Sequence, residues 1–336
     1  MTLTTAATAT LGQLQYTVQI RSVSVELALF PGVNRADVSI AAGVAVDATP
    51  GTDATVELDG GDGSATVITG IVDHVDRRSD GTAVAITDGG AALARVRPQE
   101  TYNGMLATQI ISKLAQLADV QTGLIVATTQ TSAYVADPRR TGLQHIAALA
   151  DLAGAVAAVG GDGRLTVVPW PTGLPTVAMR FDREFTAFSS SSHRAGHEFS
   201  VVGGGGSGAA LAPDVWIVNT DAVTNADDPS ATSTWRPDPV LRTPTDVDLA
   251  NKYIAARRAS STKRFRGECW LQPARRPGDV VQVQETEHAD QAGPWLLTSV
   301  RHELGWDRAS SLLIGVSGGE TSALLGAAAG ALGGLL

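Results

Sequence analysis

Few residues in this chain have the types and spacing that chemistry needs. His193 and His197 in HRAGHE stand four apart, a spacing that on a helix holds a metal ion. They lack the HExxH order, and the alternating EFSVV that follows predicts extended chain, where that spacing does not pair two imidazoles. His302 follows SVR in a strand-like run without a Ser, Cys or carboxylate partner at a recognisable spacing, so it reads as a hydrogen-bonded strand histidine rather than a general base. VVGGGGSG has the glycine content of a phosphate loop but not its Lys-Ser/Thr, and reads as a bend or linker. The carboxylates of ELDGGDG and NADDP do not form an EF-hand and are explained by turn chemistry. One basic cluster stands out, Arg257, Arg258, Lys263, Arg264 and Arg266, across a helix end and the following strand. It either compensates the helix C-terminus or meets an acidic neighbour in an assembly. No catalytic, cofactor or metal site is expected.

Composition narrows the classes further. The 336 residues carry a net charge of −9, with 22 Arg against three Lys, a skew read as the mark of a GC-rich genome. This balance argues against a nonspecific nucleic-acid binder, and an acidic surface would suit a conduit through which DNA slides. The single cysteine, Cys269, excludes an internal disulfide framework and reads as a small buried hydrophobe. The N-terminus lacks a basic n-region and an apolar core, and no window has the length of a membrane span, so synthesis and folding in the cytoplasm are expected.

The elements that must position these residues are mostly strands. Residues 1–15 read as a flexible Thr/Ala/Leu arm. From Tyr16 apolar residues alternate, with a phase change near Arg21 and Ser22 that predicts a bulge. Short strands separated by PGTD, DGGDGS and SDGT turns predict a β-barrel over 16–95. At Pro98 the period changes. Leu106, Ile110, Leu114 and Leu117 predict one buried helical stripe, and Leu143, Ile146, Leu149, Ala150 and Ala153 a second, within a small α/β domain over 96–180. Residues 181–316 read as a second barrel with one helix, DVDLANKYIAARRASST, and a long loop at 219–246 edged by Trp216 and Trp235. The fold class is thus β-rich α+β: two tube-like antiparallel barrels with an inserted α/β domain. The first and third regions could be distant copies of one barrel. The apolar tail over 317–336, with Leu324 and Leu325, reads either as a frayed helix weakened by glycine or as an assembly segment.

The order of these segments resembles the late-control D family of phage tail proteins, the hub group that includes VgrG-type spike proteins. The resemblance is carried by Tyr102, Asn103, Gly104, Ile110 and Ile111 at the first helix, then Tyr134, Asp137, Leu143, Ala150, Gly154, Asp162 and Gly163. Downstream it continues in Leu271, Pro273, Pro277, Gly278, Asp279 and Val281, and in the closing strand with His302. It covers about residues 16–316. What it implies is a non-enzymatic homotrimer whose two barrels per chain make a pseudo-sixfold ring between a hexameric tail tube and a trimeric spike. The implied neighbours are a tail tube protein, a separate spike protein, because no spike repeats follow here, and baseplate wedge proteins. The tail over 317–336 could bundle on the trimer axis or meet a tape-measure protein. The implied location is a phage tail or an injection-system particle. Two rival readings are a tail-tip receptor-binding or adhesin protein and a tail-associated hydrolase.

Overall fold

The computed structural model describes residues 4–170, 177–193, 198–205, 216–218, 232–238, 240–241, 243–288 and 291–318; for 198–205, 216–218, 232–237 and 258 it describes the backbone alone. The first β region comprises β1 (Ala6–Leu11), β2 (Leu14–Tyr16), β3 (Ile20–Ala28), β4 (Arg35–Ala41), β5 (Asp53–Asp59), β6 (Ser64–Arg78) and β7 (Gly81–Thr87). The mixed module follows with α1 (Gly89–Arg95), β8 (Glu100–Leu106), α2 (Ala107–Leu117), β9 (Thr122–Ile125), β10 (Gln130–Ala136), α3 (Gly142–Leu152), β11 (Ala155–Val159) and β12 (Leu165–Pro169). Then come β13 (Val177–Arg180), β14 (Phe185–Ser192), β15 (Glu198–Gly205), β16 (Trp216–Val218), β17 (Thr232–Asp238), α4 (Pro244–Ser261), β18 (Lys263–Trp270), β19 (Val280–Gln284), β20 (Gly293–Gly305) and β21 (Ala309–Ser317).

The β-rich α+β class holds, and large antiparallel pairings dominate it. Among the described residues the two β regions share one sheet of 13 strands, in the order β14-β18-β21-β20-β3-β4-β7-β6-β5-β1-β2, with β13 and β19 attached beside β20. The long strand β20 makes the join. Its first half pairs with β19 (Val280↔Leu296) and its second half with β3 (His302↔Val25), on either side of a register shift between Leu297 and Ser299. A bulge at that shift lets one strand serve two partners, because the extra residue re-aims the ladder.

Period-two alternation builds the core as expected. Val23, Val25 and Leu27 of β3, Val38 and Ile40 of β4, and Phe265 and Cys269 of β18 all point into one cluster that draws on both β regions. A register shift between Ile20 and Ser22 sits where the sequence changes phase. Cys269 is fully buried, and burial pushes its thiol up to about 12.

Several expectations change. Residues 6–11 are not a loose arm. They form β1, paired with β5 from Ala6↔Asp59 to Leu11↔Ala54, because Ala9 and Leu11 alternate into the core and the intervening threonines suit a strand. The first stripe of the module is offset. Leu106 and Leu117 are 40% and 49% exposed, and the buried face of α2 is Ala107, Ile110, Ile111, Leu114 and Ala115. Ala153 is only half-buried, while Leu143, Ile146, Leu149 and Ala150 pack inward as predicted. The short helix α1 was hidden in the end of a presumed strand region; Asp88 caps it, its side chain accepting from Gly90 N at 2.8 Å. Gly203–Gly205 are not a linker but the end of β15, paired with β16 on one side and, through Gly203 and Gly204, with β17 on the other. Part of the expected loop at 219–246 is strand β17, and α4 starts at Pro244 behind the cap Thr243.

Candidate functional site: an inter-region junction and the open face of the sheet

Turn residues from three distant segments meet at one guanidinium. Arg276 donates to the carbonyls of Thr66 and Val67 on β6, and its backbone N–H donates to Asp279 Oδ2 at 2.9 Å. The Gly-Asp-Gly turn of the module lies against it. Thr69 Oγ1 donates to Gly161 O at 2.7 Å, and a Cβ at Gly161 would collide with Thr66 O and with the guanidinium itself. Burial lowers the pKa of Arg276, while Asp279 and Asp162 act electrostatically to raise it. Burial likewise raises the pKa of Asp279.

The Pro277-Gly278-Asp279 turn is shaped for this contact. Gly278 has φ 96°, in the left-handed region that disfavours side chains, and its N–H donates to Leu297 O at 2.8 Å. His302 anchors the neighbouring residue: Nδ1 lies 2.8 Å from Ser311 Oγ and Nε2 lies 3.3 Å from Arg275 O. It is fully buried, and burial lowers its pKa to about 4, so it is neutral and structural. The structure therefore brings Asp162, Gly163, Pro277, Gly278, Asp279 and His302 to one side of the molecule, where β6, the module and the β19–β20 region join.

The remaining motif residues form a second cluster inside the module. Tyr102 and Tyr134 are cross-strand neighbours on β8 and β10, and Tyr134 OH lies 2.8 Å from His145 Nδ1. His145 Nε2 lies 3.0 Å from Asp137 O, which ties the DPRR turn to α3. Sequence reasoning missed His145. Its only signal was a polar residue on the inward face of the helix beside Ile146. Ile110 and Leu143 are core residues, and Gly104 is exposed in β8.

The basic cluster divides. Arg257 Nη1 donates to Asp151 Oδ1 at 2.6 Å, a tie between α4 and α3. Lys263, Arg264 and Arg266 are exposed on β18. From Arg266 the solvent face of the sheet continues through Ile314 on β21 by direct register, then to β20 and β3. It carries Trp270 at 60% exposed and a ladder of ion pairs: Arg301 with Glu26 at 3.5 Å, Arg301 with Glu303 at 2.7 Å, and Arg35 with Asp37 at 2.8 Å. Arg258's side chain, His197, Leu324 and Leu325 lie outside the described residues, and His193 is exposed. Among the described residues no group of three or more His, Cys, Asp or Glu side chains is placed to hold a metal, and no helix is long and apolar enough to cross a membrane. The carboxylate of Asp59 accepts from Gly61 and Gly63, as turn chemistry requires.

A β-rich chain whose motif residues are spent on joining its own regions, with a broad polar sheet face left open, has the build of a structural component rather than a catalyst. The phage tail baseplate hub (GPD) family model matches residues 21–307, and the chain belongs to that family. It is a family of structural tail proteins, so the hydrolase reading falls, and the protein is a structural baseplate hub that associates with other components of a phage tail. No curated protein matches the chain by sequence.

Solved structures share the fold. The 43 kDa tail protein of prophage MuSo2 from Shewanella oneidensis superposes with a TM-score of 0.70 at 13% identity, over 94% of this chain and 99% of that one. The tail protein from Neisseria meningitidis MC58 gives 0.72 at 16% identity, over 93% and 96%. The E. coli c3393 protein, a component of the type VI secretion system, gives 0.61 at 12% identity, over 92% and 76%.

Proposed function

We propose that this hub acts as a homotrimer, forming a pseudo-sixfold adaptor between a hexameric tail tube and a trimeric spike supplied by a separate chain. The observation that carries the reading is the doubling of six-strand sets within one chain. One set runs β3-β4-β7-β6-β5-β1, the other β14-β18-β21-β20-β19-β13, and they join where β3 pairs with the second half of β20. Three copies would present six such sets, so a sixfold neighbour meets near-equivalent surfaces while a threefold neighbour meets equivalent chains. On this reading the chain divides into barrels over 16–95 and 181–316 with the α/β domain over 96–180 between them, the first barrel extended by β1 and the second by β13.

The exposed face bearing Arg264, Arg266 and Trp270 is the candidate contact with neighbouring chains, since a large aromatic beside guanidinium groups is the chemistry of interface hot spots. Baseplate wedge proteins and, through residues 317–336, a tape-measure protein complete the expected set of neighbours. The protein would be made in the bacterial cytoplasm and built into the particle there. Symmetry-classified electron microscopy of the protein with the tube and spike products of neighbouring genes tests this. A threefold ring between the two supports it, and a monomer that binds neither refutes it.

A further inference from the structure

The strands β14-β18-β21-β20 repeat β3-β4-β7-β6 pairing for pairing. Ile71↔Thr87 on β6 and β7 answers Leu296↔Val316 on β20 and β21, and the register breaks match, between Val72 and His74 in one and between Leu297 and Ser299 in the other. The outer pairs break alike, at Ile20–Ser22 against β4 and at Phe185–Ala187 against β18. Even the turns agree: Val72 exchanges two 2.8 Å backbone hydrogen bonds with Gly51 and Thr52, and Leu297 two with Gly278 and Asp279, each time behind a Pro-Gly whose glycine has φ 93° or 96°. One pairing lacks its counterpart. β3 lies along the second half of β20, from Ser299↔Ala28 to Gly305↔Ser22. Among the described residues no strand lies along the matching half of β6 on the β5 side, and β14, the match of β3, has none on its outer side. Val300, on the half of β20 that β3 covers, is fully buried, while its match Val75 is only half-buried.

We propose that β14 of one copy lies antiparallel along the second half of β6 of the next copy, repeating between chains the join that β3 and β20 make within one. The register carries over. Asp76 stands as far past Val72 as Arg301 past Leu297, and Ser191 as far past Phe185 as Glu26 past Ile20, so the in-chain pair Arg301↔Glu26 becomes Asp76 opposite Ser191. By the same rule Arg78 faces Ser189. The edge of β14 is open to such pairing: FTAFSSSS holds no charged residue and no proline, the usual devices that keep an exposed edge from adding a strand. Each copy gives β14 and receives at β6, a head-to-tail contact that repeats until the ring closes. The pairing rests on the homotrimer reading above and supplies the contact that would hold it, one continuous sheet running round the assembly.

Paired cysteines in the full chain, assembled with the tube and spike products of neighbouring genes, test this. The only native thiol, Cys269, is fully buried and does not compete. Arg301 and Glu26 reach each other at 3.5 Å across the in-chain join. Asp76→Cys with Ser191→Cys should therefore oxidise to a covalent trimer on a non-reducing gel, and a mixture of the two single variants to a covalent dimer. Arg78→Cys with Ser189→Cys is the second opposed pair, should the first fail to fold. Asp76→Cys with Ser189→Cys is two residues out of register, beyond the Cα separation of about 7 Å that a disulfide spans, and should give at least tenfold less product. A covalent series that closes at another number of chains supports the pairing and refutes the trimer. A threefold particle without crosslinks from either opposed pair overturns the pairing and leaves the trimer standing, and equal crosslinking in both registers overturns it too.

Discussion

Replacing Arg276 by Met removes the group on which β6, the Gly-Asp-Gly turn and the Pro-Gly-Asp turn converge. Two hydrogen bonds from a charged donor to the carbonyls of Thr66 and Val67 are lost, each worth about 1.5–3 kcal/mol. The buried carboxylate of Asp279 also loses a cation that raises the charged form's stability. Against this, Met spares the cost of desolvating a guanidinium, and Asp279 can take up a proton. The expected balance is a loss of about 3–5 kcal/mol, the range seen when one member of a buried charged set is removed. For a chain of this size, with an unfolding entropy of about 0.7 kcal/mol/K, that is a fall in Tm of roughly 4–7 °C by calorimetry. Arg276→Lys should recover little, because an ammonium cannot reach both carbonyls as a planar fork does. A Tm within about 2 °C of the parent for Arg276→Met would refute the reasoning and mark the junction as a passive contact.

Two further outcomes follow from the same geometry. His302 is held neutral with a folded pKa of about 4 against an ordinary 6.5, so the unfolded chain binds the proton first. Its contribution is whole above pH 6.5 and is lost as the pH falls through 4, amounting to about 3 kcal/mol; His302→Gln, if it folds, should flatten the stability profile between those values, and an unchanged profile would count against a buried neutral imidazole. On the open face, Arg266→Glu with Trp270→Ser should leave Tm within about 2 °C and lower co-sedimentation with tail neighbours at least tenfold; unchanged co-sedimentation would move the contact elsewhere.

Much of the fold was legible because alternation and turn chemistry are local. The strands from Tyr16 to Thr87, the shift at Arg21–Ser22 and the inward stripe of α3 follow from side-chain period. The misreadings have physical causes as well. Leu106 and Leu117 fit a helical period but sit at the helix margin, where burial depends on what packs there. Ala9 is too small for its burial to be evident from sequence, and α1 is short, glycine-rich and marked only by the Asp88 cap. The junction was half legible: each turn showed itself, but their meeting at Arg276 depends on segments about 210 positions apart. Tyr134 was visible in the sequence but its partner His145 was not, because only the folded module brings the two together.

The central claim is that doubled six-strand sets in one hub chain reconcile threefold and sixfold neighbours. The most direct measurement is electron microscopy of the purified protein mixed with its tube and spike partners, classified without imposed symmetry. The expected result is a threefold ring with six peripheral lobes, stacked on the tube and capped by one spike. A ring of six chains, or a single chain bound at the tip, would contradict it.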